Sequence, residues 1–189
     1  MTSSIPPNCQ FDKGCVHGRF QPFHLEHLEY VVEAKRRCRF LWIGITQYDL
    51  EDLENAEPTE SHRLELSSNP MTYIERVRCI SSALSEAGVA KSEFGFTPFP
   101  IDSPSKLPQF ISSDVHCFTT ICEPWNQRKI ERLRAAGYMV TVLWERSEKR
   151  YSGSEIRRLI AEGNSGWRSM IPRAVEHVID ELKLGSRLQ

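Results

Sequence analysis

The sequence predicts an α/β fold in which a parallel sheet is covered by helices on both faces. Two observations lead to this prediction: segments of helical periodicity alternate with short apolar runs, and the run FLWIGIT at residues 40–46 is apolar throughout. A continuous run of β-favouring residues is typical of a parallel strand that is buried on both faces. Strands that alternate with helices form parallel sheets with right-handed crossovers.

The first strand, helix and strand follow from local signals. Residues 14–17 are short and apolar enough for a buried strand. In residues 25–37, Leu28, Val31 and Ala34 recur at helical spacing before a basic end. This helix supplies the crossover that two neighbouring parallel strands require.

The remaining elements repeat this alternation. The last helix carries an apolar stripe at helical spacing, which is expected to dock on the core. That stripe consists of Val175, Val178, Ile179 and Leu182. The predicted strands are 14–17, 40–46, 93–100, 115–121 and 139–143, and the predicted helices are 25–37, 72–87, 127–136, 154–162 and 172–184.

Two segments fall outside these elements. Residues 1–12 hold Pro6 and Pro7 among small polar residues and are expected to be a disordered lead-in, so that residues 13–189 form a single domain. Residues 47–70 are acidic at first and then carry Arg63. This segment is too long for a simple connection, which leaves a functional loop or a disordered one as alternatives.

Composition excludes several classes of protein. The formal net charge is −1 and 26% of the residues are charged, so no excess of charge indicates a nucleic-acid or membrane partner. The six cysteines show neither a CxxC pair nor the spacing of a zinc site, which predicts reduced and mostly buried thiols. The polar N-terminus has no apolar signal region, and no stretch approaches the roughly 20 apolar residues that span a bilayer. We expect a cytoplasmic protein.

The loop after the first predicted strand, HGRFQPFHLEH at residues 17–27, is the first candidate site. In an open parallel sheet, ligands bind beyond the carboxyl ends of the strands. Gly18 allows the backbone to approach a ligand, and the following helix aims free N–H groups and its positive dipole end at the loop. Arg19, His24 and His27 add side-chain donors. The pattern predicts a pocket for phosphate.

Other interpretations of these residues stay open. His24 and His27 have a spacing that suits a metal, although no third ligand is obviously placed to complete a set. They are equally compatible with a helix start whose imidazoles are inert. His17 falls at the strand end and is interpreted as structural. Phe20 is more typical of core packing than of base stacking.

A second candidate site is RYSGSEIRRLI at residues 150–160. Ser152 at an N-cap position, with Glu155 three residues later, predicts a capping box that starts another helix. Ser154 offers a hydroxyl in the first turn, and a guanidinium from Arg157 or Arg158 suits bidentate contact with phosphate oxygens. A capped helix with solvated arginines explains this segment taken alone, but two anion-binding helix termini in one chain favour a polyphosphate ligand.

GRFQPFHLEH followed by YSGSEIRR closely resembles the HxGH nucleotidylyltransferase superfamily. Within it, the chain is most similar to the archaeal-type nicotinamide-mononucleotide adenylyltransferases, whose motifs read GRFQPFH-x-GH and YSGTEIRR. The segments SHRLELSSNPMTYIER and WRSMIPRAVEHVI are similar to the SH…NPFT…ER segment and the W…L(V/L)P(E/K)AVVEVI tail of that family. The resemblance covers about residues 14–179.

The resemblance implies a Rossmann-like fold that transfers a nucleotidyl group from a triphosphate to an acceptor phosphate and releases pyrophosphate. His24, His27 and Arg157 are the implied catalytic residues, because charge that spreads over the phosphate oxygens needs positive donors. Mg²⁺ is the implied cofactor, held by the triphosphate and not by protein side chains. The implied nucleotide-binding residues are Gly18, Arg19, Phe20, Ser152, Gly153, Ser154 and Arg158.

The sequence departs from the family at two places. HxGH reads HLEH, with Glu26 in place of glycine, and we expect activity to be retained because sulfurylases of the superfamily work with HxxH. On the acceptor side, ICEP at residues 121–124 stands where the family has SGNP. The family's tryptophan that is thought to face the nicotinamide aligns near Pro108 here. The predicted acceptor-binding residues are Arg63, Glu123 and Trp125. Trp125 would replace the lost stacking surface, and Glu123 favours an acceptor edge with N–H donors.

The leading prediction is therefore a Mg²⁺-dependent adenylyltransferase that joins ATP to nicotinamide mononucleotide and forms NAD. One alternative is a cytidylyl- or adenylyltransferase for another phosphate or phosphonate. The other is a catalytically silent module that senses a nucleotide. Small-molecule nucleotides are the expected partners, with no nucleic acid and no membrane, and the family is compatible with a homo-oligomer.

Overall fold

Five parallel strands form one sheet in the order β3-β2-β1-β4-β5. The computed structural model describes residues 9–50, 68–123 and 125–188. In β2, Leu41, Ile43 and Ile45 are all fully buried, as the continuous apolar run predicts. The predicted α/β fold with a Rossmann-like parallel sheet is confirmed. The strands are β1 (Phe11–Gly18), β2 (Cys38–Ile45), β3 (Phe94–Pro98), β4 (His116–Ile121) and β5 (Val140–Glu145).

Each predicted α-helix is present. α2 begins with a capping box in which the Thr72 hydroxyl accepts from the Glu75 N–H and the Glu75 carboxylate accepts from the Thr72 N–H. In α5, Val175, Val178 and Ile179 are buried, so the predicted apolar stripe does pack inward. The helices are α1 (Leu25–Arg37), α2 (Tyr73–Glu86), α3 (Trp125–Ala135), α4 (Gly153–Ala161) and α5 (Arg173–Glu181).

Most boundaries differ from the sequence prediction by one or two residues, and two differ by three. β1 begins at Phe11, inside the predicted lead-in, because the Phe11 ring stacks on His116 with 3.8 Å between centroids. α5 ends at Glu181 and not at residue 184, because Lys183 adopts a left-handed conformation with φ of 50°. A left-handed residue is a common way to end a helix. Residues 1–8 of the lead-in lie outside the described residues.

The residue contacts separate into two compact units. The sheet unit, residues 9–18, 29–46, 90–123 and 125–149, contains all five strands and α3. The motif unit, residues 19–28, 47–50, 68–89 and 150–188, contains α2, α4 and α5 together with the residues of both predicted motifs from Arg19 and Arg150 onward. That residues 13–189 form a single domain stays a prediction.

Within the sheet unit, one apolar cluster covers a face of the sheet. Cys15 and Cys117 lie side by side in β1 and β4. They pack with Leu133 of α3 and with Phe99, which follows β3. The face of β1 that carries Cys15 is thus the face that α3 covers.

All six cysteines are free thiols, and four of them are fully buried. The prediction of unpaired and mostly buried cysteines is confirmed. Within the described ranges, no helix has the length and apolar character that crossing a membrane requires. The cytoplasmic location stays a prediction.

Candidate functional site

His24 and His27 form a capping box at the start of α1. His24 is the residue before the helix, and its Nδ1 accepts a hydrogen bond of 3.3 Å from the His27 backbone N–H. His27 reciprocates, since its Nδ1 accepts from the His24 backbone N–H at 3.4 Å. Two imidazoles thus play the parts that a small polar residue and a glutamate usually play at a helix start.

The reciprocal bonds fix the tautomer of both rings. A neutral imidazole carries one N–H, so a ring whose Nδ1 accepts holds its proton on Nε2. The two rings stack with 3.5 Å between their centroids and 16° between their planes. The first helix turn therefore holds two imidazoles whose Nε2 atoms are hydrogen-bond donors, at a helix end that already favours anions.

The loop between Arg19 and His24 is fixed by contacts to distant segments of the same unit. The buried Gln21 side chain donates to the Met71 carbonyl at 2.8 Å and accepts from the Met71 N–H at 3.1 Å. Arg76 of α2 is fully buried and donates to the carbonyl oxygens of Arg19, at 3.0 Å, and Gln47, at 2.8 Å. The loop is therefore placed by α2 and by the segment that precedes it.

The second motif meets this loop through Arg157. The Arg157 side chain is 9% exposed, and one of its terminal nitrogens donates to the Gln21 carbonyl oxygen at 2.6 Å. At Gly153, a Cβ would stand 2.7 Å from the same carbonyl oxygen, so no larger residue fits there without a shift. The start of α4 thus lies directly against the loop before α1, and both helix N-termini belong to one site.

The hydroxyls of this motif lie where the sequence predicts. The Ser152 hydroxyl caps α4 by accepting from the Glu155 N–H at 3.2 Å, and it lies 3.1 Å from the Ser154 hydroxyl. The N-cap is confirmed, but the capping box is not. The Glu155 carboxylate binds the Arg158 guanidinium instead, because a charged partner on the same helix face is stronger than a backbone N–H.

Two buried guanidinium groups, those of Arg76 and Arg157, place positive charge next to the loop between Arg19 and His24. Burial lowers the pKa of Arg157 from its usual value, and burial lowers the pKa of Arg76 to about 10. Both groups stay charged at neutral pH. Their hydrogen bonds to carbonyl oxygens leave a net positive field, which favours an anionic ligand.

Arg158 differs from its neighbour. It is exposed, and its guanidinium binds Glu155 and Glu162 on its own helix, with distances of 2.6 Å to 3.0 Å. These contacts favour the alternative interpretation, a solvated arginine on a capped helix. That Arg158 binds nucleotide stays a prediction with little support from the geometry.

Glu26 is buried and faces the second motif. Its side chain is 9% exposed, and Oε2 lies 3.5 Å from the Tyr151 backbone nitrogen, a long hydrogen bond. Glu26 thus occupies the joint between α1 and the loop before α4. Because this side chain is buried, its carboxylate does not point into solvent.

Phe20 and Gly18 are placed differently from each other. The Phe20 ring is 1% exposed and meets the His27 ring edge-on, with 5.0 Å between centroids. The Phe20 ring therefore packs against the imidazole inside the unit, and the core-packing interpretation of Phe20 is confirmed. That Phe20 contacts a nucleotide stays a prediction. Gly18 ends β1 in the sheet unit, where its carbonyl accepts from the Thr46 N–H at 3.0 Å.

Two of the predicted acceptor-binding residues, Glu123 and Trp125, lie in the sheet unit. Glu123 accepts hydrogen bonds from the Trp125 indole N–H and from the Lys149 ammonium, the latter at 2.6 Å. The Lys129 ammonium lies 3.6 Å from the centroid of the Trp125 ring, so a cation occupies one face of the predicted stacking surface. Arg63 lies outside the described residues.

Among the described residues, no group of three or more His, Cys, Asp or Glu side chains could hold a metal ion. Most donors around His24 and Arg157 are N–H groups, which bind phosphate oxygens and not a cation, and the Ser152 and Ser154 hydroxyls can donate to the same oxygens. The residues of this site therefore suit the phosphates of a nucleotide, and Mg²⁺ bound through those phosphates stays a prediction.

Sequence reasoning missed the residues that hold the site together. Gln21 and Arg76 contact segments that are 50 and 57 positions away. Gln21 had a signal, since it stands inside the motif GRFQPFH. Arg76 belongs to the segment NPMTYIER, which the family resemblance includes without assigning a role.

Comparison with known proteins decides the family. Residues 15–159 match the cytidylyltransferase-like family. The chain belongs to that family. Its resemblance to HxGH nucleotidylyltransferases is thereby confirmed, and the chain is a nucleotidyltransferase by family.

This chain is similar in sequence to two known proteins and in fold to a third. It is 39% identical over 93% of its length to phosphonoformate cytidylyltransferase of Streptomyces viridochromogenes, of which it covers 95%. It is 33% identical over 91% of its length to nicotinamide-nucleotide adenylyltransferase of Archaeoglobus fulgidus, of which it covers 92%.

The third is a crystal structure from Francisella tularensis of a bifunctional NMN adenylyltransferase/ADP ribose pyrophosphatase, complexed with AMP and a manganese ion. It aligns with 94% of this chain at a TM-score of 0.61 and 16% identity. The present chain spans 51% of the Francisella chain, about half its length. This likeness shows the fold.

Proposed function

We propose that this chain transfers a cytidylyl group from CTP to a small phosphonate, with phosphonoformate as the first acceptor to test. The observation that carries the acceptor is the 39% identity to a phosphonoformate cytidylyltransferase over nearly the whole of both chains. The sequence-based departures from the adenylyltransferase pattern support it, because ICEP replaces SGNP where the acceptor is read.

The motif unit supports the transfer step. An oxygen of the acceptor's phosphonate attacks the α-phosphorus of the triphosphate and forms a new P–O bond. The bond between the α-phosphorus and the oxygen bridging to the β-phosphorus breaks, and pyrophosphate leaves with that electron pair. The protein supplies no nucleophile, so its contribution is positioning and positive charge.

The histidine capping box is suited to that contribution. The Nε2 donors of His24 and His27 would bind phosphate oxygens and stabilise the charge that builds on them during the attack. Their rings are held by backbone bonds of 3.3 Å and 3.4 Å, and therefore do not reorganise when the charge develops. The hydroxyls of Ser152 and Ser154 and the N-terminus of α4 would bind the phosphates that leave as pyrophosphate.

Arg157 has a positioning role in this proposal. Its hydrogen bond to the Gln21 carbonyl fixes α4 against the loop before α1, so that the two helix termini address one ligand. Arg19, which begins that loop, would contribute a further donor. Mg²⁺ would enter with the triphosphate and reduce its charge, and no step is assigned to it.

A second candidate is the adenylyl transfer from ATP to nicotinamide mononucleotide that the sequence predicts. It is supported by the motifs GRFQPFH and YSGSEIRR and by 33% identity to an archaeal nicotinamide-nucleotide adenylyltransferase. The Lys129 ammonium on the Trp125 ring disfavours it, because the ring loses one face for stacking on a nicotinamide.

One assay separates these candidates from the nucleotide-sensing alternative. Pyrophosphate release is measured with Mg²⁺ for ATP and CTP against phosphonoformate, nicotinamide mononucleotide, nicotinate mononucleotide and other small phosphates. Release with CTP and phosphonoformate is the expected result. Release only with ATP and nicotinamide mononucleotide would show that the protein is an NAD-forming adenylyltransferase. Binding of CTP or ATP without release of pyrophosphate for any acceptor would favour a nucleotide sensor.

A further inference from the structure

The imidazole of His17 is a buried polar group without an internal partner. It is 5% exposed, and its Nδ1 forms no hydrogen bond within the described part of the chain. The ring stacks on Phe99 with 4.6 Å between centroids and 10° between planes. A buried nitrogen without a hydrogen bond lowers stability, so such a group calls for a physical explanation.

The packing of α3 places a second polar group at the same level. Cys15 of β1 and Leu133 of α3 share one core cluster. His17 follows Cys15 by two residues on the same strand face, and Lys129 precedes Leu133 by four residues on the same helix face. His17 therefore lies one step nearer the carboxyl end of β1 than Cys15, and Lys129 lies one turn nearer the N-terminus of α3 than Leu133. The Lys129 ammonium itself lies 3.6 Å from the centroid of the Trp125 ring.

The positive charge of Lys129 acts electrostatically on the His17 imidazole. Burial is the largest cause that lowers the pKa of His17 far below its usual value, and the Lys129 ammonium lowers it further. The imidazole is therefore neutral at physiological pH. The neutral His17 imidazole can donate one N–H to a ligand, next to the Lys129 ammonium.

Thr119 adds a hydroxyl on the same side. Cys15 pairs with Cys117 across β1 and β4, so Thr119, two residues after Cys117, lies beside His17 on the same face of the sheet. Thr119 is 4% exposed, and its hydroxyl donates only a long bond of 3.5 Å to the Thr120 carbonyl. Two buried donors and a cation thus share the carboxyl edge of two adjacent strands.

This edge is also the topological switch point of the sheet. The order β3-β2-β1-β4-β5 means that successive strands are added in opposite directions on either side of the β1–β4 boundary. Open α/β sheets bind ligands at such a boundary, beyond the carboxyl ends of the strands. The nearest acidic group in the β4–α3 connection, Glu123, is bound to Lys149.

We propose that His17, Thr119 and Lys129 form an anion site that takes the carboxylate of a small acid acceptor. This inference rests on the proposed function, since it names the part of the acceptor that distinguishes phosphonoformate from a simple phosphonate. The imidazole N–H and the hydroxyl donate to the carboxylate oxygens, and the ammonium neutralises their charge.

The primary test compares two substitutions on α3 that remove the same charge. Lys129→Met is expected to raise the KM for phosphonoformate by at least about tenfold while the KM for CTP changes by less than about twofold. Arg128→Met, at an exposed position one residue away on the same helix, is the control and is expected to change neither value. Equal behaviour of the two variants overturns the inference.

A second acceptor isolates the carboxylate. Methylphosphonate keeps the phosphonate and lacks the carboxylate, so Lys129→Met should reduce the preference for phosphonoformate over methylphosphonate. His17→Phe keeps a ring that can stack on Phe99 and removes both nitrogens, and it should act in the same direction. Losses of equal size for both acceptors would mean that these residues only maintain structure, and thermal unfolding of each variant checks that the fold is kept.

Calorimetric binding separates failure of this inference from failure of the proposed function. If no acceptor is turned over, phosphonoformate is titrated into the wild-type protein, Lys129→Met and Arg128→Met. Binding that weakens at least about tenfold in Lys129→Met alone supports the anion site although the proposed reaction is wrong. No binding to the wild type, or equal binding to all three proteins, overturns the site.

Discussion

The Arg157 guanidinium donates a hydrogen bond of 2.6 Å to the carbonyl oxygen of Gln21, across 136 positions of sequence. Both groups are buried, and the Gln21 side chain is itself bound to the backbone of Met71. A single carbonyl oxygen thus connects the loop before α1 with α4. The two helix termini that bind phosphate in the proposed function are held together by this contact.

Removal of this contact should reduce both stability and activity. Arg157→Met leaves the Gln21 carbonyl buried without its donor, which costs about 1–3 kcal/mol in the free energy of unfolding. We expect kcat/KM to fall by at least about 100-fold, because the helix termini lose their alignment. Arg157→Lys should restore little, since an ammonium does not reproduce the planar fork of a guanidinium.

The matched control for Arg157 is Arg173→Met, an exposed arginine at the first position of α5. Denaturant unfolding and steady-state kinetics are measured for all three variants. If Arg157→Met loses stability but keeps the wild-type kcat and KM, the positioning role is wrong and the contact is only structural.

The histidine capping box allows capping and chemistry to be separated at one residue. Asparagine is a favourable N-cap, so His24→Asn should keep most of the stability, whereas His24→Ala should lose about 1 kcal/mol. Both substitutions remove the Nε2 donor, and both should lower kcat by about 100-fold to 1,000-fold.

Thermal unfolding and pyrophosphate release together test the histidine substitutions. Wild-type turnover in His24→Asn would show that the imidazole serves only the helix. A large loss of stability in His24→Asn would show instead that the reciprocal bonds with His27 cannot be replaced by another cap.

Gly153 tests how closely the second motif approaches the first. An added Cβ would stand 2.7 Å from the Gln21 carbonyl oxygen, so Gly153→Ala should push α4 away and cost about 1–3 kcal/mol. The KM for the triphosphate should rise with it. Gly185→Ala is the control, because its Cβ would meet Ile160 at an ordinary 3.6 Å. Equal effects of the two substitutions would contradict the close approach.

The sequence predicts the elements of this protein better than it predicts the contacts between them. α1 has the predicted bounds because its signals are local: the apolar spacing, the histidine start and the basic end all lie within residues 24–37. β2 lies within two residues of its predicted bounds because its apolar run is also a local signal, with Leu41, Ile43 and Ile45 fully buried. The presence of both nucleotide motifs is predicted for the same reason.

The contacts that hold the site together join residues that are far apart in the sequence. Nothing near Arg76 in the sequence indicates that its guanidinium binds the Arg19 carbonyl, 57 positions away. The exchange of partners at Glu155 is missed because a capping-box pattern is identical whether the carboxylate faces the backbone or Arg158. Backbone carbonyls and competing charges leave no pattern in a single sequence.

Alkaline pH should destabilise the protein because its buried thiols resist ionisation. Burial raises the pKa of Cys38 and of Cys79 to about 12, from an ordinary value of 9.0. The folded state therefore keeps protons that the unfolded state releases, so the stability that these thiols contribute is fully present below pH 9 and is lost as the pH rises toward 12. Each such thiol contributes about 1.4 kcal/mol per pH unit.

Urea unfolding between pH 7 and 10.5 measures this slope. Cys79→Ala should reduce the slope above pH 9 by about 1.4 kcal/mol per pH unit, although it also lowers stability at every pH by leaving a small cavity. A free energy of unfolding that does not change between pH 9 and 10.5 would contradict the burial of these thiols in solution.

Glu26 should have little effect on binding of the triphosphate, although it lies between the two histidines in the sequence. Its carboxylate lies toward the Tyr151 backbone nitrogen and is buried, so its charge is directed at the joint between α1 and α4. Glu26→Gln, which keeps the shape, should change the KM for the triphosphate by less than about threefold, and Glu26→Gly should cost about 1 kcal/mol of stability without raising kcat. If the carboxylate repelled the phosphates, Glu26→Gln would lower that KM by about tenfold or more, most strongly at low ionic strength, where charge repulsion is least screened.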